Sequence, residues 1–414
     1  MPDRLAPCGI GLGCCSARPP DKWCVMSFVV SRRLQQLPPY PLAEIDRRKK
    51  AALAAGRDVI DFGVGDPDEP TYGFVVEAMN RAMRNPARQK YPFGGGIPEF
   101  RRAITEFFRR RYGVSLDPQR EVLALIGSKE GIAHLPLAVV NPGQLVLIPE
   151  PGYPAYNAGT IFAGGVPYVL PLTPQRDWLP DLAAIPSDVA RRAVLMFLNY
   201  PNNPTGATAT LEFFQEVVNW ARQNDVLIAH DAAYNELYLV EPRPPSILQI
   251  PEAREVAVEF HSASKTFNMT GWRIGFVVGN ADVIAALAAV KANVDTGVFA
   301  AIQEAASVAY AEVDRPELQA ARATYRERAV LFCDALRRLG FDARPPAATF
   351  YVWARVPPGF DSATVCQRLL EEADIVGVPG SSFGPAGEGY VRFSLCVPTE
   401  RIHVAVQRMR DLRW

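Results

Sequence analysis

The chain has 414 residues, 49 % apolar and 21 % charged, enough for two or three domains around a large buried core. Lysine plus arginine equals aspartate plus glutamate at 44 each, so no global field draws in nucleic acid or anionic lipid, and neither partner is expected. No apolar run reaches the roughly 18 residues that span a bilayer, so no membrane-crossing helix is expected.

Residues 1–26 differ from the rest. Cys8, Cys14, Cys15 and Cys24 sit there among Gly and Pro without periodicity. Arg18 and the prolines interrupt the apolar centre a signal peptide needs, and no Cys-x-x-Cys pair or nearby His supports a zinc site. We read this segment as a disordered or over-extended N-terminal tail, with Met26 as the starting residue. Cys333, Cys366 and Cys396 have apolar neighbours, as buried free thiols do, which suits a reducing cytoplasm and no metal site.

Residues 27–65 form an N-terminal segment expected to pack with a small C-terminal domain. It holds an amphipathic helix over 42–55, stopped by Gly56, and a short strand Val59–Phe62. Helices follow at Tyr72–Met83 and from Pro98 to Tyr112, the second with Phe100, Ile104, Phe107 and Phe108 on one face and Gly113 as its stop. Arg109-Arg110-Arg111 reads as the solvated side of that helix. Strands are then expected at 122–126, 145–148, 166–170, 194–198 and 226–229, and at two apolar runs, 255–260 and 274–278. Amphipathic helices, such as the one carrying Leu211, Phe214, Val217 and Val218, alternate with them. This pattern predicts an α/β fold with a mostly parallel central sheet covered by helices over residues 66–305. Beyond about residue 305, helices near 318–338 and 362–372 frame strands 350–353 and 390–394, a smaller α+β domain over 306–414.

In a parallel sheet, ligands bind beyond the carboxyl ends of the strands. Those ends present Gly127-Ser128-Lys129, Tyr153, Asn203, Asp231 with Tyr234, and Ser262-Ala-Ser264-Lys265 followed by Arg273. One carboxylate, one amine, two phenols, an amide and a phosphate nest suit an aldehyde-bearing phosphorylated pyridine, so the cofactor expected is pyridoxal 5'-phosphate. Lys265 would form a Schiff base with the aldehyde and later move the proton as a free amine. Asp231 would favour the protonated ring nitrogen, and Tyr234 and Asn203 would bond the ring hydroxyl. Gly127 and Ser128 at a helix start, with Ser262, Ser264 and Arg273, would hold the phosphate, and Tyr153 would stack on the ring. His230 and His261 read as packed strand residues; His230 and Asp231 are adjacent and face opposite ways, so they form no dyad.

Asn203-Pro-Thr-Gly206, Asp231-Ala-Ala-Tyr234 and Ser262-Ala-Ser-Lys265 through Arg273 resemble the signature of class I/II aminotransferases, fold type I. Ile126-Gly-Ser-Lys-Glu-Gly-Ile-Ala133 and Pro-Gly-Tyr153-Pro are most similar to the LL-diaminopimelate aminotransferase group. The resemblance covers nearly the whole chain from about residue 30. It implies a ping-pong transfer of an amino group between an amino acid and a 2-oxo acid, of the LL-diaminopimelate/2-oxoglutarate type and therefore part of lysine biosynthesis. It also implies that Arg392 grips the substrate carboxylate, that Tyr40, Gly65, Lys129 and Asn203 lie near the substrate, and that Tyr91 reaches the cofactor phosphate of the partner in a homodimer. Plant-like members of the group carry an acidic residue just after the Tyr91 position. Here that loop is the uncharged Pro92-Phe-Gly-Gly-Gly96, so aspartate, alanine or aromatic donors stay open, as do a C–S lyase on the same scaffold and a non-catalytic cofactor-binding regulator.

Overall fold

The structure is a computed structural model that describes residues 30–37, 43–410 and 412–414; the tail 1–26 and Tyr40 lie outside the described residues. The described residues form twelve strands. They are β1 (Ile60–Asp61), β2 (Val122–Leu125), β3 (Leu145–Glu150), β4 (Val166–Pro171), β5 (Ala193–Asn199), β6 (Leu227–Asp231), β7 (Ala257–Ser262), β8 (Gly275–Gly279), β9 (Tyr351–Arg355), β10 (Ile375–Val376), β11 (Val378–Pro379) and β12 (Tyr390–Ser394).

Seven of these form the central sheet in the order β2-β8-β7-β6-β5-β3-β4. All neighbours are parallel except that β8 runs against both β7 and β2. The central strands are apolar on both faces because both faces are covered. Along β3, Leu147 packs under the side that holds Phe100, Phe108, Phe214 and Phe276, while Val146 and Ile148 pack with Ile132, Leu135, Phe197 and Phe260 on the other. Helices Pro98–Tyr112, Leu211–Asn224 and Ala300–Ala311 contribute buried side chains to the first side. Helices Ser128–Val139 and Ala281–Val294 contribute to the second.

A second core gathers the three-stranded antiparallel sheet β11-β12-β9 with helices Pro316–Arg338, Ser362–Ala373 and Thr399–Met409. Strand β1 pairs in parallel with β10, and Phe62 stacks on Phe332 at 4.6 Å, so the chain before Gly63 is fastened to this C-terminal layer.

Four local expectations need correction. Arg111 is not solvated: its side chain is 7 % exposed and pairs with Glu236 at 2.6 Å and with Asp314. Glu255 and Val256 belong to a one-turn helix, Ala253–Val256, ahead of β7. The loop carrying Lys265 begins as another one-turn helix, Ala263–Thr266. Of the three cysteines downstream of the tail, Cys333 is buried, whereas Cys366 and Cys396 are only partly so.

Candidate active site

The parallel strands β2, β3, β5, β6 and β7 and the antiparallel β8 deliver polar groups to one rim of the sheet. β6 ends at Asp231 and β7 at Ser262, while β8 begins beside them because Gly275 is in register with Ser262. A β-carbon on Gly275 would meet the His261 carbonyl and the Ser128 amide, so only glycine lets three backbone segments close together there. Beyond β5, Asn199 braces the rim. Its amide donates to the Asp231 carbonyl at 2.8 Å, and its side-chain oxygen accepts from the Asn203 amide at 2.8 Å.

Asp231 is 5 % exposed. Its carboxylate accepts from the Tyr156 hydroxyl at 3.0 Å and from the Ala233 amide at 3.3 Å. Burial pushes this carboxyl up from the ordinary aspartate range, and the Tyr156 bond only partly offsets it. Among the described residues no lysine, arginine or histidine forms a salt bridge with it. It is a buried anion short of a cation.

Lys265 has the opposite shortage. Its Nζ donates to the Gly65 carbonyl at 2.7 Å and lies 5.9 Å from the Phe350 ring centre. Burial holds the amine below the ordinary lysine range, with nearby Cys396 and Asp66 acting against it and Arg273 and Arg392 with it. A desolvated amine of this kind spends more time unprotonated and is the better nucleophile.

Arg392 is 4 % exposed, yet its hydrogen-bond partners among the described residues are neutral. One Nη donates to the Asn203 side-chain oxygen at 2.9 Å, the other to the Gly63 carbonyl at 2.6 Å, and Nε has no partner among the described residues. Its guanidinium lies 4.3 Å from the Tyr351 ring centre and 4.8 Å from that of Phe383. A buried, forked cation with an unused donor fits a small carboxylate.

The phosphate-sized corner is built at the start of helix Ser128–Val139. Gly127 precedes it at φ 71°, and a β-carbon there would strike the Arg273 guanidinium, which therefore sits directly over the helix start. Arg273 also donates to the Thr270 carbonyl at 2.8 Å and reaches the Ser264 hydroxyl at 3.5 Å. Ser262 and Ser264 are both buried, and the Ser262 hydroxyl accepts from the Ser264 amide at 3.2 Å. Helix-start amides, two hydroxyls and a guanidinium suit a dianion.

Tyr153 stands at the start of helix Pro154–Phe162, edge-on to Tyr156 at 5.7 Å, with the Lys129 ammonium 5.9 Å from its ring centre. The Tyr234 hydroxyl lies 3.2 Å from that of Tyr351. Tyr91 stands apart, 78 % exposed with Phe93 as its ring neighbour. Tyr156, Asn199 and Tyr351 escape a reading of the sequence. Two of them look like ordinary core aromatics, although the three-residue step from Tyr153 to Tyr156 within one helix is a usable signal.

A buried network lies under the same strands. Glu259 on β7 is opposite His230 on β6, and its carboxylate accepts from His230 at 3.0 Å, His261 at 2.7 Å, the Ser246 hydroxyl at 2.9 Å and the Ile247 amide at 2.9 Å. Burial alone would push Glu259 up, but the bonds from His230 and His261 win and hold it well below the usual carboxylate range. Both histidines are packed strand residues, as expected, and each also hydrogen-bonds the Glu259 carboxylate. Glu130, His134 and Asp295 also cluster, but the Lys291 ammonium lies among them, 2.7 Å from Glu130 and 3.1 Å from Asp295, and supplies the positive charge.

An unpaired buried carboxylate, a depressed amine and a dianion corner on one rim fit a phosphorylated pyridine whose nitrogen carries a proton. The sequence profile of the aminotransferase class I and II family matches residues 57–409. The chain belongs to that family. This aminotransferase is 52 % identical to the LL-diaminopimelate aminotransferase of Aquifex aeolicus over 386 residues, covering 93 % of this chain and 100 % of that protein. It is 51 % identical to the one from Syntrophobacter fumaroxidans over 94 % of this chain and all of that protein. Among solved structures, substrate-bound BacF from Bacillus subtilis superposes with a TM-score of 0.89 at 35 % identity, covering 94 % of this chain and 99 % of that one. A Thermus thermophilus aspartate aminotransferase variant gives 0.86 at 32 % identity, covering 92 % and 99 %. The aminotransferase therefore has fold type I, depends on pyridoxal phosphate and acts on small amino and 2-oxo acids.

Proposed function

We propose that this aminotransferase takes LL-diaminopimelate as amino donor and passes the nitrogen to 2-oxoglutarate, or runs the same exchange in reverse for lysine biosynthesis. Relatives that share half of its residues over their full length carry that activity in their names. The observation that carries the site assignment is the segment Gly63–Gly65, whose two carbonyls hold the Arg392 guanidinium and the Lys265 amine. A carboxylate on Arg392 would present its α-carbon toward that amine.

When bound, the cofactor supplies an electron sink for the charge that develops at the α-carbon. In our reading Lys265 anchors it covalently and then carries the proton. Asp231 pairs with the ring nitrogen, which gives the buried carboxylate its missing cation. Tyr234 and Asn203 bond the ring oxygen. Gly127, Ser128, Ser262, Ser264 and Arg273 hold the phosphate, and Tyr153 covers a ring face. Lys129, Gly65, Asn203 and Arg392 meet the substrate, and Tyr40 belongs to the same proposal.

Two further assignments rest on this reading. Tyr91 and Phe93, 78 % and 75 % exposed, would be covered by a second copy in a homodimer, Tyr91 completing the partner's phosphate site. Light scattering should give twice the 45.5 kDa chain mass, and a fully active species at the single-chain mass would remove that assignment. No helix among the described residues is long and apolar enough to cross a membrane, which is compatible with the cytoplasmic location we assign.

The deciding experiment mixes holoenzyme with single amino donors, namely LL-diaminopimelate, glutamate, aspartate, alanine and phenylalanine, and follows the visible absorbance of the lysine-bound cofactor. Bleaching by LL-diaminopimelate and glutamate, and much more slowly by the others, is expected. Bleaching by aspartate or phenylalanine but not LL-diaminopimelate would reassign the substrate.

A further inference from the structure

We infer that Tyr351 is a positioning residue for the transfer reaction, tying the Arg392 carboxylate clamp to the Tyr234 hydroxyl through its own ring and hydroxyl. The inference rests on the reading above that Tyr234 donates to the cofactor's ring oxygen.

The sheet places Tyr351 for this task. It opens β9, where Trp353 is directly opposite Arg392 on β12. Residues two apart on a strand share a face, so Tyr351 and Trp353 both face the side Arg392 occupies, and Arg392 reaches diagonally along it. The guanidinium ends 4.3 Å from the Tyr351 ring centre. The Tyr351 hydroxyl meets that of Tyr234 at 3.2 Å, with both residues buried. On its third side the ring tip rests on Gly65, where any β-carbon would collide with the hydroxyl, and Gly65 is the residue whose carbonyl takes the Lys265 amine. The backbone just before it is held in an uncommon conformation. Thr349 is fully buried at φ 73°, and its hydroxyl accepts from the Tyr351 amide at 3.1 Å. A β-branched residue at positive φ persists only where its surroundings over-determine it, a pattern that concentrates at functional sites.

The direction of the hydroxyl bond follows from proton counting. Tyr234 has one proton, and if that proton goes to the cofactor oxygen, Tyr234 must accept from Tyr351. Hydroxyls in series polarise one another, so Tyr351 makes Tyr234 a stronger donor. The charged groups acting on the pair are Arg392 from β12 and Asp231 from the end of β6, while Lys265, on the one-turn helix after β7, lies over the neighbouring Phe350 ring. A substrate carboxylate arriving on Arg392 screens the cation over the Tyr351 ring, and the change is passed to Tyr234.

The test is Tyr351→Phe in the holoenzyme, which keeps the ring under Arg392 and deletes only the hydroxyl. The pKa read from the visible band of the lysine-bound cofactor should rise by roughly half a unit or more, and kcat should fall about tenfold with KM for the amino donor within about twofold. A rise in KM with the band pKa unmoved would reduce Tyr351 to a support for Arg392 and overturn the inference. Tyr234→Phe separates the two layers of the reading. If it leaves the band pKa unmoved, the Tyr234 assignment itself fails. If it moves the band while Tyr351→Phe does not, only the present inference fails. In the Tyr234→Phe background, Tyr351→Phe should add no further shift, and an additive second shift would also count against the series.

Discussion

Replacing Lys265 with alanine should abolish turnover, by at least about 10⁴-fold, because one side chain supplies both the covalent anchor and the proton carrier. Cofactor should still bind, now non-covalently, through the phosphate corner and Asp231, and dialysis would show it. The fold should not suffer. Lys265 forms no salt bridge among the described residues, and burial lowers its folded pKa. A lowered lysine pKa costs stability below the folded pKa, a penalty that fades as pH rises through the unfolded value. Removing the amine therefore lifts a penalty at neutral pH, and the apo variant should melt no lower than its parent. Turnover above about 1 % of the parent's would exclude Lys265 from the chemistry.

Glu259→Gln should give the largest loss of stability of any conservative change in this chain, about 3–5 kcal/mol in denaturant unfolding. Its carboxylate is fully buried and gathers two histidines, a hydroxyl and an amide. An amide side chain can accept through only one of its two heads, so at least one buried donor is left facing another donor. The pH dependence has a definite sign. The folded pKa of Glu259 is depressed, so its contribution is complete above the ordinary carboxylate range and is lost only as pH falls toward the folded value. The variant's deficit should thus stay constant between about pH 5 and pH 8 and shrink in stronger acid. A loss under about 1 kcal/mol would show that the network is dispensable.

The central sheet is legible in the sequence because its strands are short, uninterrupted apolar runs, and the residues just past them are turn formers and polar groups. That places Asp231, Asn203, Ser262 and Lys265 at strand ends from the sequence alone. Pairing between strands is not legible. Glu259 is absorbed into the apolar run 255–260, and its partner His230 is 29 positions away in a register no local pattern specifies. Tyr351 and Tyr234 are 117 positions apart and belong to different sheets. Arg111 sits in a run of three arginines, and only the distant Glu236 distinguishes it from a solvated one. Helices Ala281–Val294 and Ala300–Ala311 are alanine-rich on most sides, which blurs the 3.6-residue period that marks other helices.

The Gly65 carbonyl has a consequence for timing. It offers one acceptor to an amine, and in this structure Lys265 donates to it. In the covalent role proposed for Lys265 its nitrogen would no longer donate there, and the acceptor would fall open beside the proposed Arg392 clamp. A substrate amine with its carboxylate on Arg392 would then find the acceptor the lysine has vacated. On the proposed reading, one carbonyl would thus serve two amines in turn.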